Sequence, residues 1–249
     1  MPLILLLAAA FFVTALLYAS VGFGGGSTYA AFLAMAGVDF RVLPVLALAC
    51  NIVVVAGATI RFARAEVTPW RGAITVTLLA APAAFLGGLI PIEQEAFMLL
   101  LGGTLVLTGV TMLIPVKEAD VERPSRFARY LPLAAAPMGF LAGLVGIGGG
   151  IFLAPLLHLT RWNKARAIAA TASFFILVNS LFGLVGQLLK HGPAMFGGAI
   201  YEALPLLIAV AIGGHIGSLM ALRILPVRWI RWLTALLVSI VGVRLLIGS

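Results

Sequence analysis

The sequence predicts an all-α polytopic membrane protein made of two inverted repeats, each a glycine-broken helical hairpin followed by three spanning helices. Three observations carry this: scarcity of charge, two matched glycine clusters half a chain apart, and a one-sided distribution of basic residues. Of the 249 residues 63% are hydrophobic and 10% are charged, with mean hydropathy +1.18. A soluble domain of this length carries about 25% charged residues to cover its surface. Lipid must therefore surround the chain, and the bilayer is its first partner.

Uncharged apolar stretches run 1–38, 42–60, 72–92, 96–116, 130–160, 167–189, 203–222 and 232–243. Six of them fit one spanning helix each, but 1–38 and 130–160 exceed the roughly 20 residues that a single span needs. Glycine interrupts both, at Gly22-Phe23-Gly24-Gly25-Gly26 and at Gly146-Ile147-Gly148-Gly149-Gly150. Each long stretch is accordingly predicted to be a hairpin, 3–20 with 25–37 and 131–145 with 149–160. The short second arms suit elements that turn inside the bilayer. No charged side chain precedes Asp39, so the first stretch lacks the basic start of a signal peptide and is expected to be retained.

Basic residues test the hairpin reading, because cytoplasmic loops collect Lys and Arg. With two hairpins, 13 of the 16 Lys and Arg fall on one side, in 61–71, 117–129, 161–166 and 223–231; Arg41, Lys190 and Arg244 fall on the other. With single crossings the division is 7 against 9, which is no bias. The hairpin reading wins, placing the basic loops in the cytoplasm and both termini outside. Trp70, Trp162, Trp229 and Trp232 flank the cytoplasmic span ends, as an interfacial belt does.

The glycine clusters stand 124 residues apart. Residues 1–116 form the first transmembrane repeat, 117–129 a cytoplasmic linker and 130–249 the second repeat. Each repeat reverses the chain an odd number of times, so the second is upside-down relative to the first. That is the plan of secondary transporters, whose cargo binds near the midplane where the repeats meet.

A glycine break leaves the first N–H groups of the following helix without partners, at the end where the helix dipole is positive. Such an end favours an anion. Gly24, Gly25 and Gly26 with Ser27, and Gly148, Gly149 and Gly150, are thus candidate substrate-binding residues. The plainer reading is close helix packing, since Gly22/Gly26 and Gly146/Gly150 have GxxxG spacing. Matched placement in both halves favours the site. Mid-span Asn51, and Thr171, Ser173 and Asn179 in the corresponding span of the second half, are further candidates, with interhelical hydrogen bonding as their ordinary role. Asn179 aligns with Asn51 when a gap of about four residues is allowed. His215, in apolar surroundings, is a candidate proton relay. No acidic or basic residue sits at a span centre, so strong ion coupling is not indicated.

Several classes are excluded or disfavoured. The net charge of +8 resides in loops between apolar runs, with no aromatic–basic stripe, which argues against nucleic acid. A single cysteine, Cys50, rules out an internal disulfide and a multi-cysteine metal site. HExxH, GxSxG and a cysteine–histidine constellation are all missing, so an intramembrane enzyme is disfavoured and no cofactor or metal is expected.

The duplicated glycine clusters, Pro155 after the second, and the stretch Ala169-Ala170-Thr171-Ala172-Ser173 resemble the sulfite exporter TauE/SafE family, also called TSUP. The last of these is similar to the family's small-residue GTS pattern. The resemblance covers essentially the whole chain and is closer in the second half. The first half has Ala30 or Ala31 where a proline is usual, and Leu48-Ala49-Cys50-Asn51 replaces the hydroxyl-containing run. The resemblance implies a bacterial membrane protein moving sulfite, sulfoacetate, another organosulfonate or a related small anion, usually outward, and export by alternating access is the expected mode. Import of an anion or metabolite, or an anion channel, are the alternatives. Monomer and homodimer both remain open.

Overall fold

The computed structural model describes residues 2–20, 22–113, 129–192, 197–220 and 227–248. These form ten helices. The first half contributes α1 (Pro2–Ser20), α2 (Gly26–Met35), α3 (Leu43–Arg64), α4 (Trp70–Leu89) and α5 (Gln94–Leu113). The second contributes α6 (Leu131–Val145), α7 (Gly150–Leu159), α8 (Ala165–His191), α9 (Gly197–Met220) and α10 (Val227–Gly248). The linker, apart from Arg129, and the side chain of Trp229 lie outside the described residues.

α3, α4, α5 and α8 each have the length and hydropathy of a membrane span. The outer surface is apolar: Leu78 is 66% exposed, Leu86 54% and Leu236 61%. In water such a surface would drive aggregation, and in lipid it is matched. The chain is a multi-pass membrane protein.

α2 and α7 are the short arms, 10 residues each, hence about 15 Å long, half the hydrocarbon thickness. Both are a little shorter than the predicted arms 25–37 and 149–160, because a left-handed residue stops each. Gly37 takes φ +71° after α2, and Val38 N–H returns to Leu33 O at 3.1 Å. Arg161 takes φ +50° after α7, and Trp162 N–H returns to Leu157 O at 3.0 Å. Both closures satisfy the last carbonyls of a helix.

Helix packing has a two-fold logic. Exchanging α1–α5 with α6–α10 turns the extensive α4–α6 pair into α9–α1, α4–α8 into α9–α3, and α2–α3 into α7–α8, while α3–α8 and α5–α10 map onto themselves. Glycines make the closest pairs possible. A Cβ on Gly139 or Gly143 of α6 would overlap the carbonyls of Ala80 and Ala84 in α4. A Cβ on Gly213 or Gly217 of α9 would likewise overlap Phe12 and Leu16 in α1. Small residues four apart let backbones approach in the absence of a hydrophobic drive. α3 and α8 form the middle of the protein, with α2 and α7 lying against them.

Candidate anion site at the helix breaks

Two chain breaks end in uncapped helices. Gly25 (φ +81°) opens α2 and Gly149 (φ +76°) opens α7, both left-handed and without a side-chain cap. The first backbone bonds come from Thr28 and Tyr29 N–H onto Gly25 O, and from Phe152 and Leu153 N–H onto Gly149 O. The amides of Gly26 and Ser27, and of Gly150 and Ile151, precede those bonds. These positive ends, each equivalent to about half a charge, are buried.

One side chain joins the two breaks. Asn51, on α3 of the first half, donates from Nδ2 to Ile147 O of the second break at 3.2 Å. A Cβ on Gly24 would strike Asn51 Oδ1, and one on Gly26 would strike Asn51 Nδ2 and stand 2.6 Å from Ile147 O. A Cβ on Gly148 would stand 2.5 Å from Asn51 Nδ2 and 3.0 Å from Ser180 Oγ. Glycine is required at these positions because the Asn51 amide fills the space a side chain would take.

A reciprocal contact runs the other way. The hydroxyl of Ser173, on α8 of the second half, donates to Gly22 O in the first break, and Ser173 Oγ also lies 3.0 Å from Ala169 O on its own helix. Each central helix thus reaches a carbonyl in the opposite half. Asn51 and Ser173 are both the ninth residue of their helices. Position and reach therefore make Ser173, rather than Asn179, the counterpart of Asn51. The outer glycines serve packing: a Cβ on Gly146 would stand 2.5 Å from Pro44 Cα, and one on Gly22 2.8 Å from Phe62 Cε2. The packing reading of the clusters accounts for these rims, and the middle glycines make room for Asn51.

Other candidates spread along α8. Thr171 and Asn179 lie one turn before and after Phe175, whose ring is 3.2 Å from a Gly149 Cβ position. Asn51, Thr171, Ser173, Asn179 and Ser180 are each 0% exposed, and Ser27 is 1%. In this conformation the breaks are closed, and a guest reaches them only if they part. Ser27 Oγ, Asn51 Oδ1, Thr171 Oγ1, both Asn179 amide atoms and Ser180 Oγ are buried without a hydrogen-bond partner. Each such atom costs about 1–3 kcal/mol, a cost that a polar guest bonded to them would relieve. His215 lies on an exposed face of α9 and is not among the residues gathered at Asn51.

Sequence reasoning missed two contributors. Ser180 follows Asn179 directly, and that polar pair inside an apolar span was the available signal. Gln187 Nε2 donates to Gly143 O at 2.8 Å and Leu144 O at 3.2 Å, covering the last carbonyls of α6. Its position near the end of α8 gave no hint of that contact.

The sequence model of the family described as sulfite exporter TauE/SafE matches residues 6–245. A probable membrane transporter protein, y4hK of Sinorhizobium fredii, is 34% identical over 254 residues, covering 96% of this chain and 97% of its own. A probable membrane transporter protein of Methanocaldococcus jannaschii is 24% identical, covering 74% of this chain and 69% of its own. The probable membrane transporter protein YunE of Bacillus subtilis is 21% identical, covering 84% and 78%. No solved structure matches the chain.

Proposed function

The chain belongs to the sulfite exporter TauE/SafE family, and from that premise we propose that it exports a small sulfur-containing or organic anion by alternating access. The observation that carries the proposal is the meeting of two uncapped half-helices at one side chain, Asn51, among polar atoms that lack partners. The amides of Gly26, Ser27, Gly150 and Ile151 bind the anion's oxygens. Ser27, Asn51, Thr171, Asn179 and Ser180 add side-chain contacts, and Ser173 holds the first break in place.

The two halves have opposite orientations, the basic loops face the cytoplasm of a bacterial inner membrane, and both termini lie outside. Closed breaks are then the occluded state. Parting α7 from Asn51 opens one side, and parting α2 from Ser173 opens the other. An inside-negative potential favours anion exit by about 2.3 kcal/mol per charge per 100 mV, so export needs no coupling ion.

The test is flux of radiolabelled sulfite and sulfoacetate in membrane vesicles of both orientations, with an imposed potential. Exit from the cytoplasmic side, faster with that side negative, is expected for at least one of them. Inward flux alone, or flux no faster than in empty vesicles, defeats the proposal.

A further inference from the structure

Resting on the carrier reading above, we infer that the site at the helix breaks accepts singly charged oxyanions and rejects doubly charged ones. Among the described residues the buried side chains with polar atoms are serines, threonines, asparagines, a glutamine, Tyr18, Tyr29 and Cys50, with no carboxylate, ammonium, guanidinium or imidazole. Arg61 follows Asn51 by ten residues on the same helix, about 15 Å away along its axis. Positive potential at the breaks therefore comes from the two half-helix ends, about half a charge each and about one together.

Carbonyls at the negative ends of α1 and α6 have donors: Phe23 N–H to Tyr18 O and Gly22 N–H to Ala19 O in α1, Gly146 N–H to Ala142 O and Gln187 to Gly143 O and Leu144 O in α6. The break carbonyls Gly22 O and Ile147 O accept from Ser173 and Asn51. What remains uncovered is a set of amide donors, with Ser180 Oγ and Asn51 Oδ1 beside them, buried and unpartnered. A monoanion is balanced there. A dianion leaves about one negative charge unpaired in a dry interior, which is strongly unfavourable. Asn51 Oδ1 accepts hydrogen bonds and cannot donate them, so it suits an anion that still carries a proton on one oxygen. Bisulfite meets both terms and simple alkanesulfonates the charge term; the sulfite dianion, sulfate and sulfoacetate fail the charge term.

Proteoliposomes holding the full chain test this with sulfite, methanesulfonate, sulfate and sulfoacetate across pH. At fixed total sulfite, flux is expected to fall about tenfold per pH unit above the second ionisation of sulfite, following the singly charged fraction. Methanesulfonate, singly charged throughout, should move at a constant rate. A large excess of sulfate or sulfoacetate should not compete. Sulfite flux that holds or rises with pH overturns the inference, as does competition by sulfate. A parallel fall in methanesulfonate flux also overturns it, because a titrating protein group is then responsible. If the chain moves neither sulfite nor methanesulfonate, the transport reading fails, and equilibrium binding to the purified protein decides the charge selectivity. Methanesulfonate binding without sulfate binding supports the inference, whereas equal binding or none overturns it.

Discussion

Asn51, carried by α3 of the first half, hydrogen-bonds the carbonyl of Ile147 in the helix break of the second half at 3.2 Å. Ninety-six residues of chain separate the two groups. The bond makes the position of α7 depend on the position of α3, and its counterpart from Ser173 to Gly22 makes α2 depend on α8.

Asn51→Ala leaves the buried carbonyl of Ile147 without a donor. A loss of about 1–3 kcal/mol is expected, read as a lower unfolding temperature in detergent, together with loss of anion flux. Unchanged stability would mean that the bond does not hold the break.

The two braces should act differently, because Asn51 fills space beside both breaks whereas Ser173 bonds Gly22 in the first. In a Cys50→Ala background, Asn51→Ala should speed thiol labelling of Ser180→Cys and Ser27→Cys reporters alike. Ser173→Ala should speed the Ser27→Cys reporter and leave the Ser180→Cys reporter unchanged. Equal labelling of both reporters in the Ser173→Ala variant would show that the breaks move together.

Gly24→Ala and Gly37→Ala should differ sharply. A Cβ at Gly24 strikes the Asn51 amide, whereas at Gly37 nothing lies within 4 Å. Gly37→Ala bears only its left-handed backbone, about 1–2 kcal/mol, and should retain flux. Gly24→Ala should lose flux and the Asn51–Ile147 bond. Vesicle flux normalised to protein in the membrane separates them.

Ser180→Ala should dissociate stability from affinity. Its hydroxyl is buried and unpartnered, so removing it should leave stability unchanged or raise it by up to about 1 kcal/mol. Half-saturation for the transported anion should nonetheless rise severalfold. A drop in stability with unaltered flux kinetics would assign the hydroxyl a structural role instead.

Much of the fold was legible because its determinants are local. Runs without charge mark the helices, and the glycine clusters mark the breaks to within a residue or two, since only glycine takes the left-handed turns at 25 and 149 without strain. Which side chain meets which break was not legible. That depends on how α3 lies against the break between α6 and α7, and no periodicity encodes it. Aligning amides by type pointed to Asn179 as the partner of Asn51, whereas reach across the interface selects Ser173. Gln187 was overlooked for the same reason: its partners are backbone carbonyls of another helix, which leave no trace in residue type.

The central claim is that amides of both half-helices bind one guest, and it is open to direct observation. Protein labelled with 15N-glycine, purified in detergent, can be titrated with methanesulfonate while the amide resonances of Gly26 and Gly150 are followed. Both are expected to shift saturably with a single dissociation constant while Gly37 stays still. Saturable transport of methanesulfonate with Gly26 and Gly150 unmoved would contradict it.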